Sequence, residues 1–474
     1  MLFNSLAFIV FFPIVAVVYW LLPTKWRNPF LLLASYYFYM NWDPRFALLI
    51  LFSSVTTWGC GMLMHRYAAR RKMILTTCLT VNFGILFVFK YLGFISSLIT
   101  DALAALHIAI AIPQFELLLP VGISFFTFQA VGYTIDVYRG TIKPERSLST
   151  YLLFVAFFPQ LVAGPIERAK NLLPQFHDRH RFDGQEVIRG LRLMVLGYFM
   201  KLCIADAVSP YVDAVYGNIA MHNGTSIMLA TLFFTFQIFC DFGGYSLIAI
   251  GTARCVGFRL MQNFRQPYLA GSVKDFWRRW HISLSSWFSD YLYIPMGGNR
   301  CSRVRHCFNL FVTFLVSGLW HGANTTFVAW GAYHGGLQVV HTVWHRKDKH
   351  KKSPVRRPLI IRLVNIFVTF VLMMIGWVFF RANTISDALL ALKKMATSRG
   401  MLYNGEGKPA ILLPLLLIVL LMCIEIYNER RSDGGRNGVC ESTGLRSCLL
   451  TAGLIIVILL CAQFDGGQFI YFQF

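Results

Sequence analysis

Long apolar runs separated by short basic loops dominate the chain. Segments of spanning or near-spanning length lie at about 3–22, 28–42, 46–64, 74–99, 116–138, 187–208, 225–258, 308–344, 359–380, 411–427 and 447–464. An α-helix needs about 20 predominantly apolar residues to cross the hydrocarbon core, so the pattern predicts about 11 or 12 crossings, with 308–344 folding as a hairpin. The expected fold class is an all-α polytopic membrane protein in one continuous membrane domain. Basic loops interrupt the runs at 65–72, 259–305, 345–358 and 428–446. Placing all four in the cytoplasm puts both chain ends on the extracytoplasmic side.

That parity isolates 148–166, which is flanked on both sides by basic, cytoplasmic sequence. A segment that enters and leaves on one side is re-entrant, and FFPQLVAGPIER carries Pro159, Gly164 and Pro165, which interrupt a helix. An interfacial loop satisfies the same pattern. The polar stretch 381–410 reads as loop. The opening MLFNSLAFIV has no basic leader and no small-residue cleavage site, and predicts a retained first span.

Composition narrows the class. Hydrophobic residues make up 56% of the 474 and charged residues only 14%, against about 25% charged in a typical soluble domain. So few charges cannot cover a soluble surface, and the apolar excess must face a lipid bilayer. The net charge of +22 follows from basic cytoplasmic loops, so it is no argument for a nucleic-acid partner. Of the eleven cysteines, those inside apolar runs read as small buried hydrophobes. Cys301, His306 and Cys307 lack a fourth ligand at zinc spacing, which argues against a metal site.

Three constellations stand out chemically. The window 308–333 holds no Asp, Glu, Lys or Arg and one histidine, His321, between Gly318 and Gly322 and just before Asn324. An ionisable side chain alone in an apolar segment marks a functional candidate, although a neutral histidine bonded to a neighbouring helix fits the same composition. The stretch 275–300, DFWRRWHISLSSWFSDYLYIPMGGNR, reads as an amphipathic interfacial or re-entrant helix followed by a turn. Phe276, Trp280, Leu284, Trp287 and Tyr291 fall on one face, and Arg278, His281, Ser285 and Ser289 on another. Arg278, Arg279, Arg300, Arg303 and Arg305 gather positive charge near His281, where an anionic cytosolic substrate would be drawn. Finally, Asp241 lies midway along 225–258 and needs a partner, either by orienting or pairing with His281 or an arginine or, as composition favours, in a purely structural polar pair, while Gly243 and Gly244 suggest a local break in the helix. Lys201 and Asp206 are similar intramembrane charges with no evident role.

These motifs resemble the membrane-bound O-acyltransferase (MBOAT) superfamily, in particular its bacterial alginate and peptidoglycan O-acetyltransferase-like branch. The resemblance runs through FNSLAFIVFFPIV, PVGISFFTFQAVGYTIDVYRG, FPQLVAGPIER, the Asp241 segment, the His281 stretch, SGLWHGAN and WVFFRA. It implies an acyltransferase in which His321 matches the family's active-site histidine and His281 its second signature histidine. It further implies a cytosolic thioester donor, acetyl-CoA in this branch, with no bound cofactor and no metal. The acyl group then goes outward to a cell-envelope glycan, exopolysaccharide or peptidoglycan, by way of an extracytoplasmic SGNH/esterase-like partner. The expected location is the bacterial inner membrane. Asp241, Arg278, Arg279, Trp320 and Asn324 are expected to bind the donor or support the site. The ending QFIYFQF, within an outward tail at 465–474, resembles an aromatic motif whose tyrosine, here Tyr471, relays the acyl group; an aromatic interface anchor is the alternative. A D-alanyl- or lipid-acyl-transferring relative, or more distantly a transporter, shares the composition, but no inverted repeat of the transporter kind is evident.

Overall fold

The computed structural model describes residues 1–108, 113, 118–344, 358–405, 407, 409–433, 440–442, 444–463 and 469. Among these every regular element is helical, and the protein is an all-α polytopic membrane protein. Among the described residues five helices are long and apolar enough to cross a membrane: Pro44–Arg66, Ala68–Ala105, Gly224–Cys255, Leu359–Arg381 and Ile411–Arg431, with shorter apolar helices at Leu6–Leu21 and Leu445–Cys461. The apolar runs of the sequence thus reappear as helices with ends shifted by a few residues. The region 381–410 departs from expectation, because a helix forms at Ile385–Thr397. Thr384 accepts a hydrogen bond from the Asp387 amide, and its own hydroxyl meets the Asp387 carboxylate, which together start a helix in a polar stretch.

The chain divides into two compact units, one formed by residues 1–187 with 252–261 and the other by 188–251 with 262–474. In the first, Leu6, Ile9, Val10, Ile14, Val17 and Leu21 are exposed on the first helix, an apolar face suited to lipid. The chain breaks at Phe157 between the helices Leu148–Ala156 and Phe158–Leu161. Buried side chains take over the backbone groups this break releases. The Phe158 amide donates to Ser35 Oγ at 3.1 Å, and Gln129 and Gln160 both donate to the Phe154 carbonyl, at 2.6 and 2.8 Å. Such substitution is the condition for irregular backbone inside a membrane protein.

In the second unit, Gly224–Cys255 runs as one helix, unbroken at Gly243 and Gly244. Gly244 serves packing instead of a break. A Cβ there would lie 2.6 Å from the Gly197 carbonyl oxygen, and a Cβ at Gly197 would lie 2.6 Å from that of Gly244. Two turns away, a Cβ on Gly251 would collide with the Gly190 carbonyl. Seven-residue spacing puts each glycine pair on one helix face, and two backbones meet where no side chain intervenes. The helix that ends at Tyr198 continues through a π-helical turn, Phe199–Ala205, into Asp206–Gly217. That turn carries Lys201 inward, where its ammonium lies 2.8 Å from Asp206 and 2.7 Å from Asp241.

Candidate active site

His321 is the last residue of the helix Arg303–His321, and a turn of three residues leads into Thr325–Trp344. The expected hairpin forms, and small residues set its tightness. A Cβ on Gly318 would strike the Phe327 carbonyl, and one on Gly331 would lie 2.6 Å from the Phe314 carbonyl. Gly318 and Gly322 leave space beside their own backbones. Helix 325–344 takes those spaces, since the Phe327 ring fills the position where a Gly322 side chain would go. Asn324 caps that helix, with Oδ1 accepting from the Thr326 amide at 3.1 Å and Nδ2 donating to the Asn383 carbonyl at 3.1 Å.

The His281 stretch departs from one continuous amphipathic helix. Helix Val273–Arg279 stops, His281 adopts the left-handed conformation (φ 43°, ψ 54°), and a second helix runs from Ile282 to Phe288 into a π-helical turn, Ser289–Tyr293. A left-handed histidine is uncommon and needs support from its surroundings. Residues 263–265 supply it by running alongside. The Ile282 amide donates to the Asn263 carbonyl at 2.8 Å, and the Arg265 amide to the Arg279 carbonyl at 2.9 Å. The break keeps the predicted apolar face inside, with Phe276, Trp280, Leu284 and Trp287 all buried.

The Asn263 side chain is fully buried and holds the imidazole directly. His281 Nδ1 lies 3.0 Å from Asn263 Oδ1, which also accepts from the Ser283 hydroxyl at 2.9 Å and its amide at 3.4 Å. Asn263 Nδ2 donates to Ser246 Oγ at 3.1 Å. The Phe242 ring packs edge-on to His281 at 4.6 Å. No periodicity in the sequence links Asn263 to a histidine eighteen positions on, and its only signal was one amide in an otherwise unremarked loop.

Both histidines line a cavity of about 570 Å³, with ring centroids 6.4 Å apart. Forty residues of sequence separate them, so the fold alone brings them together. Trp320, buried beside them, has its ring 5.0 Å from His321 and 6.1 Å from His281. Lys274, Arg278, Arg303, His306 and His341 line the same cavity, as do Ser285 and Ser317. Of the five arginines singled out, Arg278 and Arg303 reach it. Arg279 instead pairs with Asp275 at 3.1 Å and Glu429 at 2.8 Å, and the Arg305 guanidinium lies over the Phe308 ring at 5.5 Å. Asp241 has Lys201 as a cation at 2.7 Å, a buried polar pair within the scaffold. Tyr471 lies outside the described residues. Phe469, two residues earlier, is buried with its ring 4.7 Å from Tyr245 and 6.0 Å from Phe242.

Two imidazoles at the wall of a cavity with a cationic lining suit proton transfer on an anionic substrate. Residues 144–382, which include both histidines, match the profile of MBOAT, the membrane-bound O-acyltransferase family. The chain is 40% identical over 455 residues to "Probable alginate O-acetylase AlgI" of Pseudomonas syringae pv. tomato, covering 92% of this chain and 85% of that protein. It is 33% identical to the peptidoglycan O-acetyltransferase of Helicobacter pylori, covering 86% and 82%, respectively. Similarity to the teichoic acid D-alanyltransferase of Streptococcus thermophilus is 29% over 55% of this chain and 68% of that one. The chain therefore belongs to the membrane-bound O-acyltransferase family, and it is an acyltransferase.

Proposed function

We propose that this protein is an inner-membrane O-acetyltransferase that takes acetyl from cytosolic acetyl-CoA and passes it outward for O-acetylation of a cell-envelope polysaccharide or peptidoglycan. The observation that carries the reading is the His281–His321 pair, 6.4 Å apart on a cavity wall that also presents Lys274, Arg278 and Arg303. Cations suit the phosphates of the donor, and the buried end of the cavity suits its thioester. In the transfer, His321 takes the proton of the acceptor hydroxyl as its oxygen attacks the thioester carbonyl. The new C–O bond forms, the C–S bond breaks, and the proton passes from His321 to the departing thiolate. Histidine fits this role because its ordinary pKa near 6.5 lets it both take and return a proton at neutral pH. His281 orients the reacting groups beside it, with Trp320 packed against both rings.

In this reading Tyr471 is the first acceptor. Its acetyl ester is the form handed to an extracytoplasmic SGNH/esterase-like partner, which transfers the group to the glycan, and both chain ends face outward. The relatives named for alginate and peptidoglycan acetylation support acetyl as the acyl group and an envelope glycan as the final acceptor. Inverted vesicles given labelled acetyl-CoA test it. Label on Tyr471 or on an added glycan and partner, abolished by His321→Ala at unchanged protein level, is the expected outcome. Transfer only from an aminoacyl carrier protein would replace acetyl with D-alanyl. Retained acetylation in His321→Ala would remove that histidine from the mechanism.

A further inference from the structure

We propose that Asn263 is a positioning residue that locks His281 as the tautomer protonated on Nδ1, so that Nε2 is the accepting nitrogen of a ring that lines the acyl-transfer cavity. The inference rests on the reading of that cavity as the transfer site and adds a residue that fixes its polarity.

The chain of contacts leaves one arrangement. The Ser283 amide can only donate, and it points at Asn263 Oδ1, so that atom is the amide oxygen. Asn263 Nδ2, turned the other way, donates to Ser246 Oγ at 3.1 Å. Flipping the amide would set N–H against N–H at Ser283, which a fully buried site does not tolerate. The Asn263 oxygen therefore accepts, and His281 Nδ1, 3.0 Å away, must carry the proton. In a neutral imidazole the lone pair then lies on Nε2. The same asparagine's carbonyl oxygen receives the Ile282 amide at 2.8 Å, tying down the left-handed backbone at His281 itself. One residue thus fixes the ring's rotation, its tautomer and its strained backbone. An accepting ring nitrogen at the site pairs with a donor other than the hydroxyl, whose single proton goes to His321, and the amide N–H groups of the acyl donor's pantetheine arm are of that kind. His281 Nε2 aligns such an N–H while His321 alone takes the hydroxyl proton.

Asn263→Asp and Asn263→Leu separate a polar role from a purely structural one. Aspartate keeps the acceptor in place and adds a charge, which stabilises the imidazolium, whereas leucine keeps the volume and removes the acceptor. Charged or titratable groups on the elements packed against His281 include His321, Arg303 and His306 on one helix, Asp241 with its Lys201 and Tyr245 on another, Arg265 beside Asn263, and Lys274, Asp275, Arg278 and Arg279 of its own segment, and both variants leave all of them intact. Carbethoxylation by diethyl pyrocarbonate, followed by peptide mass spectrometry against pH, reads the unprotonated His281 ring without any need for turnover. Asn263→Asp should raise the midpoint of His281 labelling by about one pH unit. In vesicles with labelled acetyl-CoA, Asn263→Leu should lower kcat at least ~10-fold with KM within about twofold, and Asn263→Asp should restore most of it at a pH above its raised midpoint. Should either variant not fold, Ser246→Ala frees the far end of the amide and should lower kcat by about threefold at unchanged KM. An unmoved labelling midpoint in Asn263→Asp overturns the proposal, as does equal loss in the Asp and Leu variants or unchanged kcat in Ser246→Ala. A wild type inert towards acetyl-CoA would count against the acetyl-CoA reading alone, since the labelling midpoint still decides the role of Asn263.

Discussion

Two regions of the second unit bury ionisable side chains, and they handle them in opposite ways. Around Lys201 the charges are gathered into ion pairs, with one ammonium 2.8 Å from Asp206 and 2.7 Å from Asp241, every partner only 4% exposed. Around the cavity the histidine rings lie with centroids 6.4 Å apart on a wall that also carries cations. A buried charge that has found its counter-ion is bound into the scaffold. A titratable ring that lines a cavity borders space rather than a counter-ion. Depth within an apolar segment marked Asp241 and His321 alike, and only their surroundings distinguish them.

Substitutions at the two regions should diverge in what they damage. The largest change expected is in chemistry: His321→Ala should lower acyl transfer by about 10²–10⁴-fold, the usual worth of a general base, while the thermal unfolding midpoint moves little. Comparable stability of the variant in a detergent-based melt, with transfer lowered to that extent, is the signature to look for. Lys201→Met should do the reverse. It strands Asp206 and Asp241 without their cation, at a cost of about 3–5 kcal/mol, and should deplete folded protein in the membrane. Adding Asp206→Asn and Asp241→Asn should recover much of that loss, and a Lys201→Met protein as stable as wild type would erase the contrast between the regions.

Smaller effects sharpen the comparison inside the arginine group. Arg278, exposed at the cavity wall, should raise KM for acetyl-CoA about fivefold to tenfold when changed to Ala, with kcat nearly unchanged. Arg279, held by Asp275 and Glu429, should affect stability and leave KM alone, although it is the adjacent residue. The smallest shift belongs to Asn324→Ala. Loss of the helix cap at Thr326 should cost about 1 kcal/mol in a denaturation experiment without altering donor KM.

Much of this molecule was legible from residue order. Apolar runs became helices with ends close to the expected ones, the 308–344 run folded as a hairpin, and both histidines could be singled out from composition and motif. Less was legible where the polar pattern had more than one physical meaning. Gly243 and Gly244 suggested a break, yet a glycine inside a helix serves equally for close approach, and the carbonyl of Gly197 occupies that space. The run 275–300 has a helical period throughout, but period says nothing of a single left-handed residue, and His281 supplies one. The polar stretch after 381 held a capped helix because Thr384 and Asp387 satisfy its first turn, a local signal that low hydropathy conceals.

By itself the sequence determined the class of this protein, because lipid exposure and backbone hydrogen bonding leave long apolar segments no alternative to helices. It also determined which residue types were available for proton transfer. What only the tertiary structure decided was who meets whom. His281 meets His321 across forty positions, Asn263 meets His281 across eighteen, and Asp241 meets Lys201 on another helix. Helical periodicity orders contacts within three or four residues, whereas these pairings depend on helix crossings set by glycine contacts and on a backbone break at His281.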